Sequence, residues 1–147
     1  MSTKLYKNIL LAVELNSAGD QQIIKKALEL VQEFDAKLTL VHAIEHISSY
    51  GATYGVAVGG EIEEMLLESA RKEMRKLGEK INVPEKQQII KFGPAKVTIL
   101  DEVENTNTDL IIVGSHGRHG IRLLLGSTAN AVLHAAPCDV LAVRIKE

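Results

Sequence analysis

The stretch Gly114-Ser115-His116-Gly117-Arg118-His119-Gly120, closing on Gly126-Ser127-Thr128, holds the residues best suited to grip an anion. Glycines let backbone N–H groups come close to a phosphate. A helix N-terminus adds unpaired donors and the positive end of a dipole. Gly126-Ser127-Thr128 supplies such a terminus with two hydroxyls, and His116, Arg118, His119 and Arg122 add donors or charge. The same residues also suit a plainer role, in which Gly114 and Gly117 only turn the chain and Ser127 only caps a helix.

Other chemistries are less well supplied. His42 and His46 are four apart, which on a helix would place two metal ligands on one face. Their surroundings, LTLVHAIEH, read instead as a strand running into a loop. Ser115-His116 lacks the G-x-S-x-G spacing of a nucleophile elbow, and adjacent side chains in extended backbone point apart. Cys138 is the one cysteine, so it forms neither an intrachain disulfide nor a cysteine-based zinc site. It has no positive cluster beside it and reads as a half-buried small residue rather than a redox-sensing thiol. The run Arg71 to Lys76 mixes signs at helical spacing and reads as a solvated face. Neither G-x-G-x-x-G nor G-x-x-x-x-G-K-[ST] occurs. Without a P-loop lysine, ATP hydrolysis is expected to be absent or far below the ~1–10³ s⁻¹ of ordinary enzymes.

The elements that must carry these residues alternate in type. Asn8 to Val13 is a continuous apolar run, as in a strand covered on both faces. Ser17, with Asp20 three residues on, opens a helix marked by Ile24, Ala27, Leu28, Val31 and Phe34. Lys37 to Ile44 is a second strand and residues 45–58 a loop. From about Gly60 to Ile81 the apolar stripe Ile62, Met65, Leu66, Ala70, Leu77 and Ile81 predicts a long amphipathic helix. Gln87 to Phe92 is a third strand. Pro94 suits the first turn of a helix that points Val97, Leu100 and Val103 inward. Asp109 to Val113 is a fourth strand, followed by a loop over Gly114 to Leu125. Ser127 opens a last helix through Ala129, Val132, Leu133 and Ala136. Pro137 stops it, and Asp139 to Ile145 is the fifth strand.

This β-α-β-α order predicts an α/β fold, a parallel sheet with helices on both faces joined by right-handed crossovers. Ligands of such sheets sit beyond the carboxyl ends of the strands, where the strand order reverses. Glu14, Leu15 and Asn16 follow the first strand, His42 to His46 lie at the end of the second, and Gly114 opens the stretch after the fourth.

With 147 residues, one domain over 1–147 is expected, large enough for a core without disulfide or metal staples. Charged residues make up 24% and the 17 basic and 19 acidic side chains leave a net charge of −2. A surface that neutralises phosphate backbones is therefore not expected, and with 3% aromatics base-stacking platforms are scarce, which argues against nucleic-acid partners. No apolar run approaches the ~20 residues of a membrane span, nor does the start resemble a signal peptide. A cytoplasmic protein without a membrane partner is the expectation.

Six pieces in order, NILLAVE, LTLVHAI, FGPAKVTIL, DLIIVGSHG, LLLGSTANAVL and CDVLAVR, resemble the universal stress protein family over essentially the whole chain. The resemblance implies a doubly wound, five-stranded parallel sheet of order 3-2-1-4-5, adenine nucleotide alpha hydrolase-like. It implies a role in surviving stress and a homodimer formed through the last strands, here Asp139 to Ile145. Many members bind ATP through G-x2-G-x9-G-[ST]. Gly114, Gly117, Gly126 and Ser127 match its residues, but eight rather than nine separate Gly117 from Gly126. Such members usually carry Asp where this chain has Glu14. By resemblance, Ala12, Val13 and Glu14 border the ligand, with Glu14 near the ribose and the Val41 backbone near the adenine. Gly114, Gly117, Gly126, Ser127 and Thr128 then surround the phosphates of ATP, with or without magnesium. The alternative is an interaction module of the same fold that binds no nucleotide.

Overall fold

Each central strand sends its side chains alternately to two apolar layers. The computed structural model describes residues 5–15, 17–45, 60–116 and 127–146. In chain order these form β1 (Asn8–Ala12), α1 (Ser17–Phe34), β2 (Lys37–Ile44), α2 (Gly60–Ile81), a short 3-10 turn (Glu85–Gln87), β3 (Gln88–Phe92), α3 (Ala95–Thr106), β4 (Leu110–His116), α4 (Ser127–Ala135) and β5 (Asp139–Ile145). All pairings are parallel and the strand order is β3-β2-β1-β4-β5. The α/β class and the order 3-2-1-4-5 are as expected.

Burial on both faces explains why the central strands lack polar alternation. Ile9 and Leu11 of β1 with Leu110 and Ile112 of β4 pack into a layer shared with Ile23, Ala27 and Met74 of α1 and α2. Leu10, Ile111 and Val113 face the other way, against Ile99 and Val103 of α3 and Ala129 and Val132 of α4. Asp35, Asn82 and Asn107, each just past a helix, have φ of 52°, 61° and 51°. Asn and Asp tolerate this left-handed conformation better than most residues, so they suit helix ends.

The second strand, the long helix and the last strand match the sequence reading at both ends. Some other boundaries move. β4 starts at Leu110 and runs to His116, so Gly114 lies within a strand and not in a loop. Pairing of Gly114 with Val143, Ser115 with Arg144 and His116 with Ile145 carries the ladder that far. β1 stops at Ala12, one residue short, and β3 begins at Gln88. Pro94 is the residue before α3 and not within its first turn.

Helix phases shift as well. In α3 the inward residues are Thr98, Ile99, Glu102 and Val103, while Val97 is exposed. A Lys91 Nζ–Glu102 Oε1 ion pair of 2.5 Å lets the inner face take a carboxylate, which apolar spacing could not reveal. Leu133 of α4 is exposed, as are Ile62, Met65 and Leu66 in the first turns of α2. Only from Ala70 onward does α2 bury its stripe, through Met74 and Gly78.

Candidate functional site

Beyond the carboxyl ends of β1, β2 and β4 lies a cavity of about 300 Å³. It sits at the switch point of the sheet, between β1, whose connection leads to β2 on one side, and β4, which is reached from β3 on the other. Its size matches the lower range of small-molecule sites.

β1 ends there through a tight departure of the chain. The Val13 N–H donates to the Val41 carbonyl at 2.9 Å, the last bond of that ladder. Leu15, at φ 62°, then turns the backbone out of the sheet. A leucine in this region is strained, and such strain gathers at functional sites. The turn is held from α1, where Asp20 Oδ1 accepts the Glu14 N–H at 3.1 Å. Asp20 is 6% exposed. The sequence spacing suggested a capping box with Ser17, but the bond shown for Asp20 reaches back past the helix to Glu14.

The end of β2 supplies the opposite wall. In a parallel sheet, alternate residues turn both backbone polar groups to the same neighbouring strand. Val41 faces β1, since its carbonyl accepts from Val13, and Ile44 faces β3, since its carbonyl accepts from the Gly93 N–H at 2.9 Å. Ala43 therefore turns its N–H and C=O toward the side from which β1 has departed, and it lines the cavity. His42 donates through Nδ1 to the Val13 carbonyl at 2.8 Å, which bolts the two strand ends together. Glu45 reaches the start of α3, where its Oε1 accepts the Ala95 N–H. A carboxylate at a helix N-terminus is favoured by the dipole as well as by the bond.

β4 and α4 close the third side through Gly114 and Thr128. A Cβ on Gly114 would lie 2.6 Å from Ile145 Cδ1 and 3.5 Å from Ile23 Cγ2. The missing side chain thus lets β5 and α1 close behind the cavity without filling it.

The structure brings six expected site residues to this cavity: Ala12, Val13, Glu14, Val41, Gly114 and Thr128. Ser127 is the first residue of α4, exposed and outside the lining. Gly117 and Gly126, with Arg118, His119, Gly120 and Arg122, lie outside the described residues, as do Asn16 and His46. Ser115 is buried within β4 and does not line the cavity. Cys138 is half-buried, and burial pushes its thiol pKa up, matching the reading of an inert packing residue. Asp20, His42, Ala43 and Glu45 escaped the sequence reading as site residues. Asp20 carried a signal of sorts, an acidic residue in a helix's first turn after a strand end, whereas Ala43 carried none.

Three carboxylates, Glu14, Asp20 and Glu45, line the cavity, and among the described residues no lysine or arginine does. Such walls accept hydrogen bonds from hydroxyl and amino groups. A strongly anionic group is better placed at the α4 end, where Thr128 stands in the first turn of a helix.

A parallel sheet of this order with its cavity at the switch point defines a doubly wound α/β fold, and its likeness to solved universal stress proteins makes it adenine nucleotide alpha hydrolase-like. The model of the universal stress protein family matches residues 5–144, and the chain belongs to that family. It is 58% identical over 141 residues to universal stress protein A homolog 2 of Coxiella burnetii, covering 96% of this chain and 97% of that one. The solved universal stress protein UspA from Lactobacillus plantarum superposes with a TM-score of 0.71 at 25% identity, over 95% of this chain and 98% of that one. A universal stress protein solved in complex with cAMP shares the fold at a TM-score of 0.64 and 15% identity, over 96% and 98% of the two chains. No helix among the described residues is long and apolar enough to cross a membrane.

Proposed function

We propose that this protein binds an adenine nucleotide, ATP above all, as a ligand in a cytoplasmic stress response, and acts as a homodimer. The observation that carries the reading is the backbone of Ala43, facing a cavity of about 300 Å³ with no strand opposite it among the described residues. A neighbouring donor and acceptor on one strand edge match the paired acceptor and amino group of an adenine edge. Ala43, and not Val41, is the base reader in this proposal, because the Val41 carbonyl already accepts from Val13. Glu14 accepts from the ribose hydroxyls, and the phosphates lie toward Thr128 at the start of α4. A relative solved with cAMP supports a nucleotide ligand.

The ligand is held and not turned over rapidly. A γ-phosphate needs a positioned nucleophile and cationic stabilisation. The cavity's described walls offer carboxylates, His42 and backbone, and the His42 Nδ1 proton is committed to Val13. Dimerisation rests on β5, an edge of the sheet whose Val140, Leu141, Ala142 and Val143 are all partly exposed. Pairing with its two-fold mate would cover that edge.

Native mass spectrometry of the purified protein tests both parts at once. The expected mass is that of two chains with adenine nucleotide bound. A nucleotide-free species that stays free after incubation with millimolar ATP would favour the interaction-module alternative, and a monomer would remove the β5 contact.

A further inference from the structure

Glu14, just past the end of β1, and Asp20 of α1 form an acidic pair on one wall of the cavity. Resting on the nucleotide reading above, we infer that Glu14 and Asp20 make the cavity select linear 5′-nucleotides and reject 3′,5′-cyclic ones. The sheet sets the order of contacts. Ala43 on β2, Glu14 beyond β1, Gly114 on β4 and Thr128 at the start of α4 follow one another across the cavity. Neighbouring strands lie about 4.8 Å apart, a step comparable with that from base to sugar to phosphate in a nucleotide. With the base at β2, the sugar lies over the end of β1.

At that point the protein presents carboxylates. The Glu14 backbone is fixed by its 3.1 Å bond to Asp20, and both residues line the cavity. Carboxylate oxygens only accept hydrogen bonds, so they complement a free 2′,3′-diol, which donates two. A 3′,5′-cyclic phosphate turns the 3′-hydroxyl into an ester oxygen, deleting one donor. It also brings its negative charge back to the rim of the sugar, against Glu14 and Asp20. Like charges brought together there repel, most strongly at Asp20, which is buried and so poorly screened by water. A linear 5′-phosphate carries its charge onward to α4. A universal stress protein of the same fold has been solved in complex with cAMP. In this inference the discrimination belongs to the side chains of Glu14 and Asp20.

Isothermal titration calorimetry with adenosine, AMP, ATP and cAMP tests this on the unaltered protein and on Glu14→Gln, with thermal melting to show that both are folded. Glu14 is exposed, so the variant retains the core. AMP and ATP are expected to bind at least about tenfold more tightly than cAMP, a difference of the size that one close like-charge contact produces. Glu14→Gln should raise cAMP affinity and weaken AMP, narrowing the ratio to within about threefold. Equal affinity of the unaltered protein for AMP and cAMP would overturn the inference, as would a ratio unmoved by Glu14→Gln. Failure of adenosine, AMP and ATP alike to bind would overturn the nucleotide reading itself.

Discussion

The two rims of the sheet use carboxylates in opposite ways. At the amino ends of the strands, Asp109 accepts the N–H groups of Lys7 and Asn8 at 2.9 and 3.1 Å. The Asp109 N–H returns a bond to the Asn8 carbonyl, and the Lys7 carbonyl accepts from Lys37. Tyr6 donates to Asp139 at 2.7 Å and meets Phe34 edge to face. Every one of these bonds draws strands together. At the carboxyl ends, Asp20 and Glu45 also accept backbone N–H groups, but those belong to the chain leaving β1 and to the start of α3. Their bonds hold walls apart around an opening. One rim serves stability, the other keeps a site open, and substitutions should separate the two.

The largest effect is expected at the closed rim. Asp109→Ala leaves two backbone donors without their acceptor and should cost about 2–3 kcal/mol of unfolding free energy, read by chemical denaturation. Nucleotide affinity of the folded fraction should stay as it was. A loss of affinity without a loss of stability would erase the distinction between the rims.

A moderate effect of the other kind is expected from Gly114→Val. Its Cβ falls within 2.6 Å of the Ile145 side chain and must displace it, and the larger side chain enters the cavity. Overpacking of this sort costs about 1–3 kcal/mol. Affinity for ATP, measured by calorimetry, should fall further in proportion than stability does, by about tenfold or more.

The smallest effect is a pH dependence at the closed rim. The hydrogen bond to Asp139, and after it burial, holds the Tyr6 hydroxyl above its ordinary pKa of 10.0. The folded state thus favours the protonated phenol. Its stabilising contribution is complete below the ordinary value and is lost as pH rises through the raised one. Lys91, held up by Glu102, loses its contribution in the same alkaline direction. Tyr6→Phe should therefore flatten the alkaline fall in melting temperature, while leaving the part due to Lys91.

The sequence revealed the sheet more fully than the site, for a physical reason. Parallel strands covered by helices are written as apolar runs, so β2 and even the half-buried edge strand β5 could be bounded from the sequence pattern alone. The α3 face could not, because Thr98 and Glu102 are polar yet inward, and Glu102 depends on a lysine from another strand. Glu14 and Thr128 were legible because they stand just past a strand end or at a helix start, and Gly114 because it is a glycine near the carboxyl end of an apolar run, although β4 continues past it. Ala43 was not, since its role comes from which way its amide points and from β1 stopping two residues earlier in register. Asp20 and Glu45 likewise act on backbone groups that no spacing identifies.

The most direct test of the open rim is a ¹H–¹⁵N correlation spectrum recorded during titration with ATP. Amides of Glu14, Ala43 and Thr128 should shift together and saturate, while those of Lys7, Asn8 and Asp109 stay in place. Shifts centred on the closed rim, or none at millimolar ATP, would contradict the account.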